Sequence, residues 1–176
     1  HEWGPVKVFR NHEGRLLDET KGSGVEELLG WWNSIAAADI DADGDLDYAV
    51  GNVGLNSKYH ASNAHPVLLY YGDMDDAGRP KIVEAEYEGK TLYPVRGRSC
   101  SSNAMPGLKQ KFPTFKSFAL APLDDIYGRD KLKESKKLSA NILESGILIN
   151  VTQKGGPPKF KFQPLPRLAQ ISPVFG

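Results

Sequence analysis

The sequence predicts a mainly β fold of short strands, interrupted by one basic helical insert. Three observations predict it. Apolar residues alternate at a period of two in both flanking regions, and glycine-centred turns punctuate those runs. Between Ser101 and Lys137 the apolar spacing changes to three and four residues. At 176 residues, 40% hydrophobic and 25% charged, the chain is long enough to bury a core.

Taken in order, Val6, Val8 and Phe9, a turn over residues 11–14, and Leu16 with Leu17 read as a hairpin. Gly22 and Gly24 mark a loop, with one helical turn expected over residues 25–29 before Trp31 and Trp32. Neighbouring strand residues point to opposite faces, so one of these tryptophans at most is expected in a core. The other would face solvent or the next sheet, where an indole can also stack on a sugar. Residues 34–39 and 46–50 read as strands flanking the most acidic loop. Residues 67–71 and 82–87 flank a second acidic loop, and residues 91–95 form a further strand.

In the insert, Leu108, Phe112, Phe115, Phe118, Leu123 and Ile126 keep helical spacing; Pro113 and Pro122 suit first-turn positions and Gly128 a helix stop. Strands are expected to resume at 141–143, 146–151 and 160–162, the last after the Gly155-Gly156-Pro157-Pro158 turn. The run around Val8 to Asn11 resembles Leu148 to Asn150, and Ser34-Ile35-Ala36 resembles Ser172-Pro173-Val174, at offsets of 139 and 138 residues. The near-constant offset points to a repeat, with a new strand starting at Ile171 and both ends cutting through a repeating architecture. The expected organisation is 1–98, carrying the acidic loops, 99–137, the helical insert, and 138–176, further strands and the start of the next repeat.

Charge narrows the function classes. Lys and Arg total 22, matched by 22 Asp and Glu, so the blanket positive field of a general nucleic-acid binder is absent. Residues 1–88 nevertheless carry 7 basic and 17 acidic side chains, against 15 and 5 in residues 89–176. The basic insert could draw anionic glycans, nucleic acid or an acidic neighbour, or be a solvated face. Cys100 is the single cysteine, which excludes an internal disulfide framework and a zinc site of paired cysteines. No apolar run approaches the roughly 20 residues of a membrane helix.

The strongest chemical signal is Asp39-Ile40-Asp41-Ala42-Asp43-Gly44-Asp45-Leu46-Asp47, with carboxylates at positions 1, 3, 5, 7 and 9 and glycine at 6. Five carboxylates this close repel one another unless a cation sits among them. Oxygen-only donors and a glycine for the sharp turn favour a hard ion, calcium, held by the side chains of Asp39, Asp41, Asp43 and Asp47 and the carbonyl of Asp45. An EF-hand would need glutamate at position 12 and flanking helices, but that position is Val50 and the flanks are strand-like. In the second loop, Asp73-Met74-Asp75-Asp76-Ala77-Gly78-Arg79-Pro80-Lys81, Ala77 and Lys81 replace two ligands. It offers a weaker metal site at Asp73 and Asp75, or a pairing of Lys81 with one of them in place of the ion.

Residues 30–39 with Gly51-Asn52-Val53-Gly54-Leu55-Asn56-Ser57, and also 92–96, 111–115 and 165–176, resemble the FG-GAP or VCBS repeats of calcium-binding β-propellers. Such repeats also occur in integrin α-subunits, and the likeness is nearest to secreted bacterial proteins of the ASPIC/UnbV type. The resemblance implies a partial β-propeller of about two to three blades, one calcium ion per intact loop, and extracellular or cell-surface binding or adhesion instead of catalysis. The chain's partners would be the remainder of its own propeller or neighbouring copies, with a protein or glycan as ligand. A repeating subunit of an extracellular fibre is the structural alternative, and an accessory domain of a secreted glycan-active enzyme a weaker one. The four histidines, Cys100 and the serines 99, 101 and 102 show no catalytic spacing.

Overall fold

The computed structural model describes residues 2–171. Strands hold 34% of the chain and helices 18%, in several sheets of which none closes into a barrel, so the fold is mainly β. The strands are β1 (Glu2–Pro5), β2 (Phe9–His12), β3 (Arg15–Asp18), β4 (Leu29–Trp31), β5 (Ser34–Ala38), β6 (Asp47–Gly51), β7 (Val67–Gly72), β8 (Lys81–Glu88), β9 (Thr91–Pro94), β10 (Lys136–Ala140), β11 (Gly146–Asn150) and β12 (Phe160–Pro164). The helices are α1 (Arg98–Ala104), α2 (Leu108–Lys111), α3 (Phe115–Ala119), α4 (Leu123–Tyr127) and α5 (Arg129–Glu134), and a 3₁₀ turn covers Arg167–Gln170. Two compact units result: residues 1–60 with 140–176, and residues 61–139.

In the first unit β2 and β3 form the expected hairpin. Glu13 and Gly14, at φ +49° and +82°, make its two-residue turn, and Asn11 Oδ1 accepts the Gly14 amide at 2.9 Å. Residues 25–28 wind as turns and not as a helix, because the Glu26 carboxylate takes the Gly22 and Gly24 amides at 2.8 and 2.7 Å. β4 pairs antiparallel with β1. Both tryptophans are buried, Trp31 at 8% and Trp32 at 6% exposure, where only one was expected. They do point apart, but each side is covered. Trp31 meets Trp3 and Tyr59 at 4.5 and 4.8 Å between ring centres, while Trp32 meets Phe162 at 6.0 Å and donates Nε1–H to Leu28 O at 2.9 Å.

The main sheet of this unit has the order β12-β11-β6-β5, each strand antiparallel to its neighbour. It is a meander in chain order, with residues 52–145 inserted between its second and third strands. Paired residues of antiparallel strands share a face, so Val50, Tyr48, Leu148, Phe160 and Phe162 line up to pack with Val6, Val8, Val25 and Trp32. β5 is an outer strand, and its Ile35 is 62% exposed. Asn52, just after β6, is fully buried. Its Oδ1 accepts the amides of Trp31 and Val53 at 3.0 and 2.8 Å, and its Nδ2 donates to the carbonyls of Ile142 and Glu144 at 3.1 and 3.3 Å. Ser145 and Gln170, also buried, extend this network.

The second unit has a sheet of order β10-β7-β8-β9. Leu68 and Tyr70 of β7 and Val83 and Ala85 of β8 share one core with Met105, Leu108, Phe118, Leu123, Ile126, Tyr127 and Leu132 of the helical stretch. The boundary drawn at 98/99 therefore falls inside this unit: helices of four to seven residues cannot bury an apolar stripe alone, and β7 to β9 supply the surface. Thr114 and Ser117 cap α3 reciprocally, and Gly128 at φ +89° separates α4 from α5. Residues 141–143 are not a strand; the Asn141 amide donates to Leu29 O at 2.8 Å and its Nδ2 to Glu27 O at 2.9 Å. The strand expected from Ile171 onward lies, past Ile171, outside the described residues.

Candidate metal centre

Residues 39–46 join β5 to β6, and Ala38 pairs with Asp47 at the head of the hairpin. Two positive φ angles, +62° at Ala42 and +94° at Gly44, reverse the chain. Amides then turn onto the loop's own carboxylates: Gly44 N–H onto Asp39 Oδ2 at 3.2 Å, Asp43 N–H onto Asp41 Oδ1 at 3.3 Å, and Asp45 N–H onto Asp43 Oδ1 at 3.0 Å. These aspartate turns explain why the odd positions carry aspartate and not the longer glutamate. They also bring a carboxylate oxygen each from Asp39, Asp41 and Asp43 within 4.8 Å of one another.

The other two predicted ligands behave differently. Asp47 is fully buried and both its oxygens are engaged, Oδ1 by the Asn150 amide at 2.8 Å and Oδ2 by the Ile40 amide at 2.9 Å. It joins the start of the loop to the end of β11, a role the spacing alone did not reveal. Asp45, expected to offer its carbonyl, also holds Oδ1 out of solvent with no hydrogen-bond partner among the described residues.

Burial, then the charges of Asp43 and Asp47, hold Asp41 and Asp45 above the usual carboxylate range. The amides of Asn150 and then Ile40 hold Asp47 below it. The loop thus gathers three convergent carboxylates, with an unsatisfied carboxylate oxygen of Asp45 in the same loop, and all these donors are oxygen. That donor set fits a hard cation, which would remove the repulsion.

The loop between β7 and β8 has the same build. It also spans eight residues, with Gly72 opposite Lys81, and its positive φ angles fall at the same fourth and sixth positions, +57° at Asp76 and +71° at Gly78. Asp73 Oδ2 accepts the Gly78 amide at 2.7 Å, as Asp39 accepts that of Gly44. Its cation is not the expected Lys81. Lys131 of α5 pairs with Asp76 Oδ2 at 2.5 Å and donates to Met74 O at 3.3 Å. Burial pushes Asp73 upward, but the amides of Gly78, Asp75 and Ala77 and the charge of Lys131 outweigh it, leaving the carboxyl below its ordinary range. Asp75 Oδ1 is buried without a hydrogen-bond partner among the described residues. Lys131 lies 55 residues from Asp76, and no local spacing could have pointed to it.

Cys100 is a free, exposed thiol on α1. Ser101 Oγ donates to Arg96 O and accepts from the Tyr127 hydroxyl, and Ser102 Oγ donates to Ser99 O. His65 stacks beside Tyr87 with 5.3 Å between ring centres. No described helix is long and apolar enough to cross a membrane. Compared with known proteins, the chain matches no family model, no curated protein and no solved structure.

Proposed function

We propose that this chain is a non-catalytic, calcium-stabilised repeat module of β-propeller type, working in binding or adhesion outside the cell. One observation carries the reading: Asp39, Asp41 and Asp43 converge at the tip of a regular antiparallel hairpin. A calcium ion there would join the end of β5 to the start of β6, and its binding energy would become folding energy. The four-strand antiparallel order of the main sheet is that of a propeller blade, which supports the FG-GAP or VCBS resemblance. The second loop, with Ala77 and Lys81 in ligand positions and Lys131 already bound to it, is read as a metal-free copy.

The test is a melting curve with and without calcium. Extracellular modules bind calcium with Kd of about 10⁻⁴ to 10⁻³ M, so about 10 mM calcium stabilises by about 1.4–2.7 kcal/mol. That raises Tm by about 3–10 °C. Asp43→Ala abolishes the shift. A melting temperature indifferent to calcium, chelator and Asp43→Ala refutes the calcium reading.

A second reading, the subunit of an extracellular assembly, is favoured by exposed apolar residues on strand surfaces: Phe9, Leu16 and Leu17 on the outer hairpin and Ile35 on an edge strand. A species that sediments as a monomer at every concentration and salt level argues against it.

A further inference from the structure

The unit of residues 61–139 carries a cationic cleft of its own, which does not involve the loop of residues 39–47. Tyr70 of β7, Asp124 of α4, Arg129 and Lys133 of α5, Ser135 just after α5 and Lys137 of β10 line it, and its volume is about 360 Å³. That lies within the range of small-ligand sites, about 300–1,000 Å³.

Three cations face one carboxylate. Asp124 binds Arg129 through Nε at 3.1 Å, which leaves the outer edge of the guanidinium free for another anion. Lys133 and Lys137 have no carboxylate within ion-pair distance among the described residues. Tyr70 is only 8% exposed, its ring belonging to the core, and its hydroxyl has no hydrogen-bond partner among the described residues. The hydroxyl is not closed off from solvent, so it is free to donate to an acceptor that enters the cleft.

We propose that this cleft binds the phosphate or sulfate ester group of a small molecule. The donors come from β7, α5 and β10, so they approach a ligand from different sides. A tetrahedral oxyanion presents oxygens in several directions and can meet a guanidinium, two ammonium groups and a phenol together. A planar carboxylate offers two oxygens on one edge and leaves donors unused. The cleft volume leaves room for the group that carries the ester.

The test is an NMR titration of the full chain at fixed ionic strength, with inorganic phosphate, inorganic sulfate and acetate as probes. Phosphate or sulfate should give saturating shifts confined to β7 and residues 124–137, and acetate should bind at least tenfold more weakly. Lys133→Ala with Lys137→Ala should weaken binding at least tenfold, and Tyr70→Phe several-fold. Both lysines are exposed, so the double variant keeps the fold. Lys109→Ala with Lys116→Ala, elsewhere on the helices, should change nothing. A sugar phosphate or sugar sulfate that binds more tightly than its inorganic ion supports the proposal and distinguishes the two sources. Shifts that fail to saturate, or equal weakening by both double variants, mean general attraction of anions to a basic surface and overturn it.

Discussion

Replacing Asn52 with alanine is the sharpest test of how the first unit is held together. The side chain is fully buried, and its amide serves Trp31, Val53, Ile142 and Glu144. Truncation leaves two backbone N–H groups and two carbonyls without this partner, at about 1–3 kcal/mol for each group left buried and unpaired. The Glu144 contact is long at 3.3 Å, and the Val53 amide is local to its own side chain. The low end of the range applies, giving about 3–5 kcal/mol in all. Against a total stability of about 5–15 kcal/mol this is a large loss, equivalent to a fall in Tm of about 6–20 °C. Urea unfolding and calorimetry measure it.

Two controls sharpen the test. Asn52→Asp keeps the shape but turns a carboxylate oxygen toward two carbonyls; it should be as damaging at neutral pH and partly rescued in acid, where the protonated group can donate. Gly30 lies so close that a methyl group there would stand 2.6 Å from Asn52 Nδ2. Gly30→Ala should therefore be destabilising alone and less so in the Asn52→Ala background, where Ile142 O at 3.0 Å and Trp32 Cε2 at 3.2 Å still crowd the methyl group; that non-additivity is expected of direct contact. A loss below about 1 kcal/mol for Asn52→Ala, or strict additivity with Gly30→Ala, refutes the reasoning.

Three further outcomes are expected. Asp47→Asn should lower the urea midpoint even under saturating chelator, and more than Asp43→Asn does, because Asp47 bridges the Ile40 and Asn150 amides without any ion; equal effects would contradict that bridge. Ala77→Asp with Lys81→Asp restores the missing positions of the second loop and should raise calcium stoichiometry by one in a calorimetric titration, most clearly when Lys131→Met also removes the resident ammonium. The Thr20 hydroxyl and amide and then Lys7 lower the Asp18 pKa from 3.8 to about 2, so its contribution to stability is complete above pH 3.8 and is lost as pH falls through about 2; an NMR titration of Asp18 should show Thr20→Val raising this pKa more than Lys7→Met.

Much of the strand pattern was legible because each strand is bounded by its own turn chemistry. The hairpin of β2 and β3 follows from Glu13-Gly14, and both acidic loops from aspartate and glycine at fixed offsets. The carboxylates of Asp39, Asp41 and Asp43 were legible for the same reason, since their convergence depends on amides two to five residues away. What the sequence hid was non-local. The pairing of β4 with β1, the burial of Trp31 beneath Trp3 and Tyr59, and the link from Asp47 to Asn150 join positions 24 to 103 residues apart. The helical periodicity was real, yet it did not say that β7 to β9 would supply the surface on which those helices pack.

The two acidic hairpins separate what the turn needs from what an ion needs. Loop length, the left-handed fourth and sixth positions, and the bond from the sixth amide to the first aspartate occur in both, although the second loop has alanine and lysine where the first has aspartates. Both loops share aspartate at the first and third positions and glycine at the sixth, and that set accompanies the common backbone path. The carboxylates of Asp43, Asp45 and Asp47 have no counterpart in the second loop, and crowding them costs free energy through mutual repulsion. Where the crowd is reduced, an ammonium from another element suffices, as Lys131 does at Asp76. The first loop keeps all five carboxylates and has no lysine or arginine in an ion pair among the described residues, so a multivalent cation would be the partner able to offset their repulsion.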